Sequence, residues 1–380
     1  MSEHISHNGN KDNGNKDRVN QNMNKVEADL ESKLKDVIGG IAPLDEEAMN
    51  KAQERLDDLT KPPGSLGVLE EIAKKLAGIY KEPVPQLTKK AGVLMAADHG
   101  VVEEKVSAFP REVTAQMVEN FVRGGAAINV LSKHEGAELT LVDVGVYEDI
   151  SHLDSVLHRK VAPGTKNMAV GPAMTREEAL KALNVGFELA ESFSESKIGL
   201  VSTGEMGIGN TTPSAALIYF YGDEPVEKVV GRGTGVEDDR LENKITAIKK
   251  AVEVNNPDEK DPLDVLSKLG GLEIAGLCGV FLGCASKRIP VLIDGFISGA
   301  AAVMASRFCP GSVDYMIGSH LSKEPGHKVM LSLLGVKPMF TMDMRLGEGT
   351  GAVLAMNSVE AAVKIINEMA TFSDAGVSNG

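Results

Sequence analysis

Glu348 stands in the run Gly347-Glu348-Gly349-Thr350-Gly351, after a short apolar stretch and before an apolar run with helical spacing. A carboxylate held there away from water has a raised pKa and suits general-base work. A solvated turn glutamate facing a helix N-terminus is the plainer reading of the same residues. Glu205 opens a second such loop, Gly204-Glu-Met-Gly-Ile-Gly-Asn-Thr-Thr212. Its glycines, Gly204, Gly207 and Gly209, let backbone N–H groups approach an anion, and Asn210 leads into a helix that Thr211 or Thr212 would cap. The run is neither a G-x-G-x-x-G fingerprint nor a P-loop, since no G-K-[ST] ends it. Gly231-Arg232-Gly233-Thr234-Gly235 is a third loop suited to a phosphate, or simply a surface loop before a helix. Lys244 follows in the first turns of that helix, where a cation opposes the dipole, and a nearby anionic ligand would account for it.

These loops need a frame. Short apolar runs at Gly92–Ala97, Leu139–Val144, Ile198–Ser202, Pro290–Ile293, Tyr315–Gly318 and Met339–Met342 read as strands. Longer amphipathic runs at Glu112–Lys133, Arg176–Glu195, Asp238–Val254, Glu273–Ala285, Gly299–Arg307, His327–Leu334 and Gly351–Met369 read as helices. Their alternation predicts an α/β fold with a mostly parallel sheet, whose ligands sit outside the carboxyl ends of the strands. The polar exits, among them Asp98-His99, the Glu205 loop, Asp294-Gly295, Gly318–Ser322 and the Glu348 loop, would then converge on one site. His99 and His320 belong to no H-E-x-x-H pattern and read as ordinary hydrogen-bonded histidines rather than metal ligands. No Gly-x-Ser-x-Gly elbow supports a hydrolase triad.

Composition excludes other classes. The chain of 380 residues carries a net charge of −14, which disfavours nucleic acid or an anionic membrane as its main partner. Ten Phe, five Tyr and no Trp leave little for stacking bases. No apolar run reaches the roughly 18 residues of a membrane span. Cys278, Cys284 and Cys309 form no C-x-x-C pair, which fits a reducing cytoplasm. The Asn-, Lys- and Asp-rich start has no apolar signal region and reads as a disordered tail. The expected division is a tail over residues 1–40, an N-terminal helical segment over 41–85, a core over 86–350, and a C-terminal helix and tail over 351–380. Within the second segment, Ser65 would cap a helix over Leu66–Tyr80, after the breaker Lys61-Pro-Pro-Gly64.

In order along the chain stand Lys61-Pro-Pro-Gly-Ser-Leu-Gly67, Ala97-Asp-His-Gly100, Glu112-Val-Thr-Ala-Gln116, Gly124-Gly-Ala-Ala-Ile-Asn129, the Gly204–Thr212 run, Gly231–Gly235, Asp294-Gly295, Gly318-Ser-His-Leu321 and Arg345-Leu-Gly-Glu-Gly-Thr-Gly351. Together they resemble the nicotinate-nucleotide–dimethylbenzimidazole phosphoribosyltransferase family, from about Asp45 to Met369. The resemblance implies a Rossmann-like core with a smaller helical domain, a homodimer, and no metal or cofactor. It implies transfer of phosphoribose from nicotinate mononucleotide to 5,6-dimethylbenzimidazole. Glu348 then maps onto the catalytic base. Glu205 and Lys244 line the site, with Gly207, Gly209, Asn210, Arg232, Gly233, Asp294 and Ser322 as further substrate-binding positions. In the family the segment around Ser107 to Gln116 helps form the base pocket, and Gln116 falls in it. Two alternatives remain: an enzyme of the same scaffold using adenine or a phenolic acceptor, and a non-catalytic nucleotide-binding protein.

Overall fold

The computed structural model describes residues 12–231 and 238–378, with side chains over 25–231 and 239–378. Arg232 and Gly233 therefore lie outside the described residues. Seven strands form one sheet: β1 (Lys89–Ala97), β2 (Glu138–Gly145), β3 (Val156–His158), β4 (Ile198–Met206), β5 (Val291–Ile293), β6 (Met316–His320) and β7 (Pro338–Phe340). Their order is β3-β2-β1-β4-β5-β6-β7, and every pairing is parallel. The α/β reading of the sequence is thus borne out. β3 was not anticipated, because three residues carry no measurable periodicity.

Successive strand residues face opposite sides, and the core divides accordingly. Val93, Met95 and Ala97 of β1 join the cluster on one face, while Leu94 and Ala96 join the cluster on the other. The first face is covered mainly by the helices Arg176–Glu195, Thr211–Tyr221, Leu272–Ser286 and Phe296–Phe308. Thr175 and Glu178 begin the first of these with a reciprocal capping box. The second face is covered by Glu46–Asp58, Val68–Tyr80, Val113–Val122, Ala127–Glu135 and Thr350–Glu368. The first and last of these five are tied together by Arg55, whose guanidinium donates to the Ile366 and Asn367 carbonyls.

Three local expectations change. The single helix over 112–133 is two helices, because Gly124 adopts φ +75° and turns the chain. Ser65 caps nothing: the Val68–Tyr80 helix starts after Gly67, and Glu70 reaches back to accept from the Gly64 and Leu66 amides. Residues 12–39, assigned by composition to the tail, form a helix. Leu30, Leu34, Val37 and Ile38 recur there at helical spacing and pack against the first face, a signal diluted by the polar residues around them. No helix among the described residues is long and apolar enough to cross a membrane.

Candidate active site

The strand order reverses between β1 and β4, where connections leaving on opposite faces open a crevice at the carboxyl ends. A cavity of about 350 Å³ lies there. Glu205, Asn210, Thr211, His320, Ser322, Arg345 and Glu348 give it a polar side. Phe109, Val113, Met117, Met206, Ile208, Phe296, Ile297 and Leu346 give it an apolar one.

Glu348 has φ +62° between Gly347 at +79° and Gly349 at +86°. A left-handed glutamate costs roughly 1–2 kcal/mol over a right-handed one, so the surroundings must hold it. They do so through Asp294 at the β5 exit. Asp294 Oδ1 accepts from the Gly351 and Ala352 amides at 2.8 and 3.0 Å, and Oδ2 accepts from the Gly349 amide at 3.1 Å. That carboxylate satisfies the N-terminus of the Thr350–Glu368 helix and pins the loop before it. Glu348 is 8% exposed, and its Oε2 has no hydrogen-bond partner. Burial first, then the Asp294 charge, push it up to about 7.

Glu205 comes to meet it. A Cβ on Gly204 would stand 2.6 Å from the Glu348 carbonyl oxygen, and one on Gly347 would stand 2.5 Å from Glu205 Oε1. At Gly204 only glycine lets the two main-chain segments close, whereas at Gly347 the neighbour is the Glu205 side chain and it is the φ of +79° that favours glycine. The Glu205 carboxyl is buried, and burial together with Glu273, Asp294 and Glu348 pushes it up to about 8. Asn210 Nδ2 donates to its Oε2, partly offsetting that rise.

Lys244 lies 1% exposed on the adjoining helix, its Nζ donating to Thr211 Oγ1 at 2.7 Å and to the Gly231 carbonyl at 3.2 Å. Burial lowers it to about 8. The helix Thr211–Tyr221 is capped by neither threonine. Asn210 takes the N-cap position without a side-chain cap bond, its amide being committed to Glu205. Two amides of this loop are taken: Ile208 N–H donates to Thr114 Oγ1 and Asn210 N–H to the Gly207 carbonyl.

The sequence-predicted residues thus separate. Glu205, Gly207, Asn210, Ser322 and Glu348 border the cavity, and Lys244 stands just behind Thr211. Asp294 and Gly209 are not among the lining residues, and Gln116 is exposed on the helix whose Val113 and Met117 reach the cavity. Phe109 and Val113 of the apolar wall fall in the segment that the resemblance gave to the base pocket, and the rest of the wall was missed, since isolated Phe, Met and Ile residues carry no motif. His320 and Arg345 stood within the quoted motifs without an assigned role.

A family model described as Phosphoribosyltransferase matches residues 41–377. The nicotinate-nucleotide–dimethylbenzimidazole phosphoribosyltransferase of Desulforamulus reducens is 54% identical over 91% of this chain and 99% of its own. That of Geobacter sulfurreducens is 53% identical over 91% and 99%. The solved structure of the enzyme of the same name from Thermus thermophilus superposes with a TM-score of 0.84 at 45% identity, covering 89% of this chain and all of that one. With its parallel sheet, its two facing carboxyls and this similarity along nearly its whole length, the chain belongs to the nicotinate-nucleotide–dimethylbenzimidazole phosphoribosyltransferase family.

Proposed function

We propose that the protein transfers the 5-phosphoribosyl group of nicotinate mononucleotide to 5,6-dimethylbenzimidazole, giving α-ribazole 5′-phosphate and nicotinate. The observation that carries this reading is Glu348. Its carboxyl is buried, has one oxygen without a partner, is pushed up to about 7 by burial and the Asp294 charge, and lines the cavity.

The chemistry balances around that residue. The lone pair of one benzimidazole nitrogen attacks C1′ of the nucleotide. The bond from C1′ to the pyridinium nitrogen breaks, and its electron pair neutralises the departing nicotinate. The proton on the other benzimidazole nitrogen passes to Glu348 Oε2. Attack opposite the leaving group inverts the anomeric centre from β to α, through an oxocarbenium-like transition state. The apolar wall of Phe109, Val113, Met117 and Leu346 suits a flat, methylated acceptor. Lys244 and the adjoining loop suit the donor phosphate. The donor brings no pyrophosphate, so the reaction calls for no magnesium-holding acidic loop and no cofactor.

The protein works in the cytoplasm as a homodimer. The apolar face of the Val68–Tyr80 helix is covered within the chain. The exposed Phe109 and Leu346, which line the cavity, support the dimer instead.

The test is mass-spectrometric detection of α-ribazole 5′-phosphate after purified protein is mixed with both substrates. Hydrolysis to ribose phosphate alone, or transfer only to adenine or a phenol in an acceptor panel, would overturn the assignment.

A further inference from the structure

Thr114 is fully buried and polar, and the transfer chemistry does not use it. It is the second residue of the Val113–Val122 helix, whose Val113 and Met117 line the cavity. Its hydroxyl has two partners. Oγ1 donates to Asp98 Oδ1 at 2.7 Å, and the Ile208 amide donates to Oγ1 at 3.1 Å. The direction is set by the amide, which can only donate. The hydroxyl therefore accepts from Ile208 and gives its one proton to Asp98.

Both ends of this link need holding. Asp98, buried at the β1 exit, also accepts from the Tyr147 amide through Oδ2 at 2.8 Å. The Arg111 guanidinium lies over the Tyr147 ring, 4.7 Å from its centre. One carboxylate thus grips the turn over 111–114 twice, directly through Thr114 and indirectly through Tyr147. The helix begins without a side-chain cap, so these contacts fix its start. At the other end, Ile208 stands between Gly207 and Gly209, the latter at φ +91°. Glycine on either side leaves this peptide unusually free to turn. The Asn210 amide closes the turn on the Gly207 carbonyl, but that bond is internal to the loop and does not place it against the helix. The Thr114 hydroxyl does.

The consequence falls in the cavity. Met117 lies one turn beyond Thr114 and shares its side of the helix. Met117 and Val113 belong to the apolar wall, whereas Glu205, Gly207 and Ile208 belong to the loop that Thr114 grips. A flat acceptor seated on the wall must present one nitrogen to C1′ of a donor held by the glycine loops. A displacement of about 1 Å between the two is enough to cost roughly 100-fold in rate.

We infer that Thr114 is a positioning residue: its hydroxyl, oriented by Asp98, holds the acceptor wall in register with the Glu205 loop and so decides which acceptor nitrogen faces the donor sugar. The inference rests on the transfer reaction proposed above for its consequence in turnover. The bond itself belongs to the substrate-free protein.

An acceptor with one methyl group tests it. The two nitrogens of 5-methylbenzimidazole are inequivalent, so transfer gives two isomeric products. Their ratio, read by chromatography from a single reaction, does not depend on how much of a preparation is active. The wild type should favour one isomer by about tenfold, the low end of what a methyl group in a fitted apolar pocket is worth. Thr114→Val keeps the side chain's shape and removes both bonds, so the ratio should fall toward one. Thr114→Ser keeps the hydroxyl and should hold the ratio near the wild-type value.

A merely structural Thr114 would lower turnover in Thr114→Val and leave the isomer ratio where it was, which would overturn the inference. Equal yields of the two isomers in the wild type, or a serine variant no better than valine, would do the same. If Thr114→Val fails to fold, Thr114→Cys takes its place. A thiol is a weak donor and a weak acceptor, so the ratio should again fall, and an unmoved ratio counts against the register role. A wild type that ribosylates no base would sink the transfer reading, and hydrogen exchange in the substrate-free protein would then judge the bond. The Ile208 amide should exchange about tenfold faster in Thr114→Val than in the wild type or Thr114→Ser, as the loss of one net hydrogen bond requires. Equal exchange rates would dispose of the link.

Discussion

Asp294 accepts hydrogen bonds from the amides of Gly349, Gly351 and Ala352, the residues that follow Glu348, and so fixes the backbone on which the proposed base stands. Asp294→Ala removes all three acceptors at once. We expect a loss of about 1–3 kcal/mol in stability, read by denaturant unfolding. We also expect kcat to fall more steeply than nicotinate mononucleotide affinity, because the loop, not the donor subsite, relaxes. Unchanged kcat in a folded variant would show that Glu348 keeps its place without this anchor.

Glu348→Gln preserves shape and hydrogen bonding but cannot accept the benzimidazole proton. Turnover should drop by roughly 10²–10⁴, with both substrates still bound. In the wild type the rate should climb as pH rises through about 7, where Glu348 ionises, and the variant should lack that rise. Near-normal turnover in this variant, with Glu205→Gln inactive but still binding, would exchange the two roles.

Lys244→Ala should weaken nicotinate mononucleotide more than dimethylbenzimidazole in calorimetric titrations, since only the former carries a phosphate. Burial sets Lys244 at about 8 in the free protein. An anion beside it favours the charged form, so donor affinity should decline as pH rises through about 8. Equal weakening of both ligands would place Lys244 outside the donor subsite.

The site should also leave a mark on stability. Glu205 and Glu348 hold protons in the folded chain up to about 8 and about 7, whereas the unfolded chain releases them near the ordinary carboxylate value of 4.5. Between those limits the native state binds more protons, so the stability these protonated groups contribute is complete below about 4.5 and is lost as pH rises toward 8. Melting temperatures measured across that window should decline less steeply in Glu205→Gln than in the wild type. Identical slopes would mean that Glu205 is ionised in the folded protein.

Light scattering at micromolar concentration should give the mass of two chains. Charged substitutions at Phe109 and Leu346 test the proposed placement of the interface at the cavity mouth: they should reduce that mass, while substitution at the exposed Val170, which does not line the cavity, should not. A monomeric wild type would remove the dimer from the reading.

The polar side of the site was legible in the sequence because it sits where strands end, and glycines beside acids mark such ends. Arg176–Glu195 was also legible to the residue, since Thr175 and Glu178 announce its start. Asp294 shows the limit of that reading: an acid at a strand exit looks the same in sequence whether it faces a ligand or caps a distant helix. Asn210 shows another, because a side chain beside a helix start was free to cap it and is drawn instead to Glu205. The wall formed by Met206, Phe296 and Ile297 was not legible, because its members come from separate elements and only the closed fold brings them together.

At Gly204 and Gly207 an added methyl would strike backbone, the Glu348 carbonyl in one case and the Ala97 carbonyl in the other. The acidic end of the cavity is therefore cut from main chain, which no rotamer change can reshape. The apolar end is upholstered with side chains that can be exchanged one at a time. A lineage could thus change which flat base it accepts by ordinary point substitution, while the geometry that activates the sugar stays locked in place. Selectivity in this protein is separable from its chemistry, and it resides in the softer half.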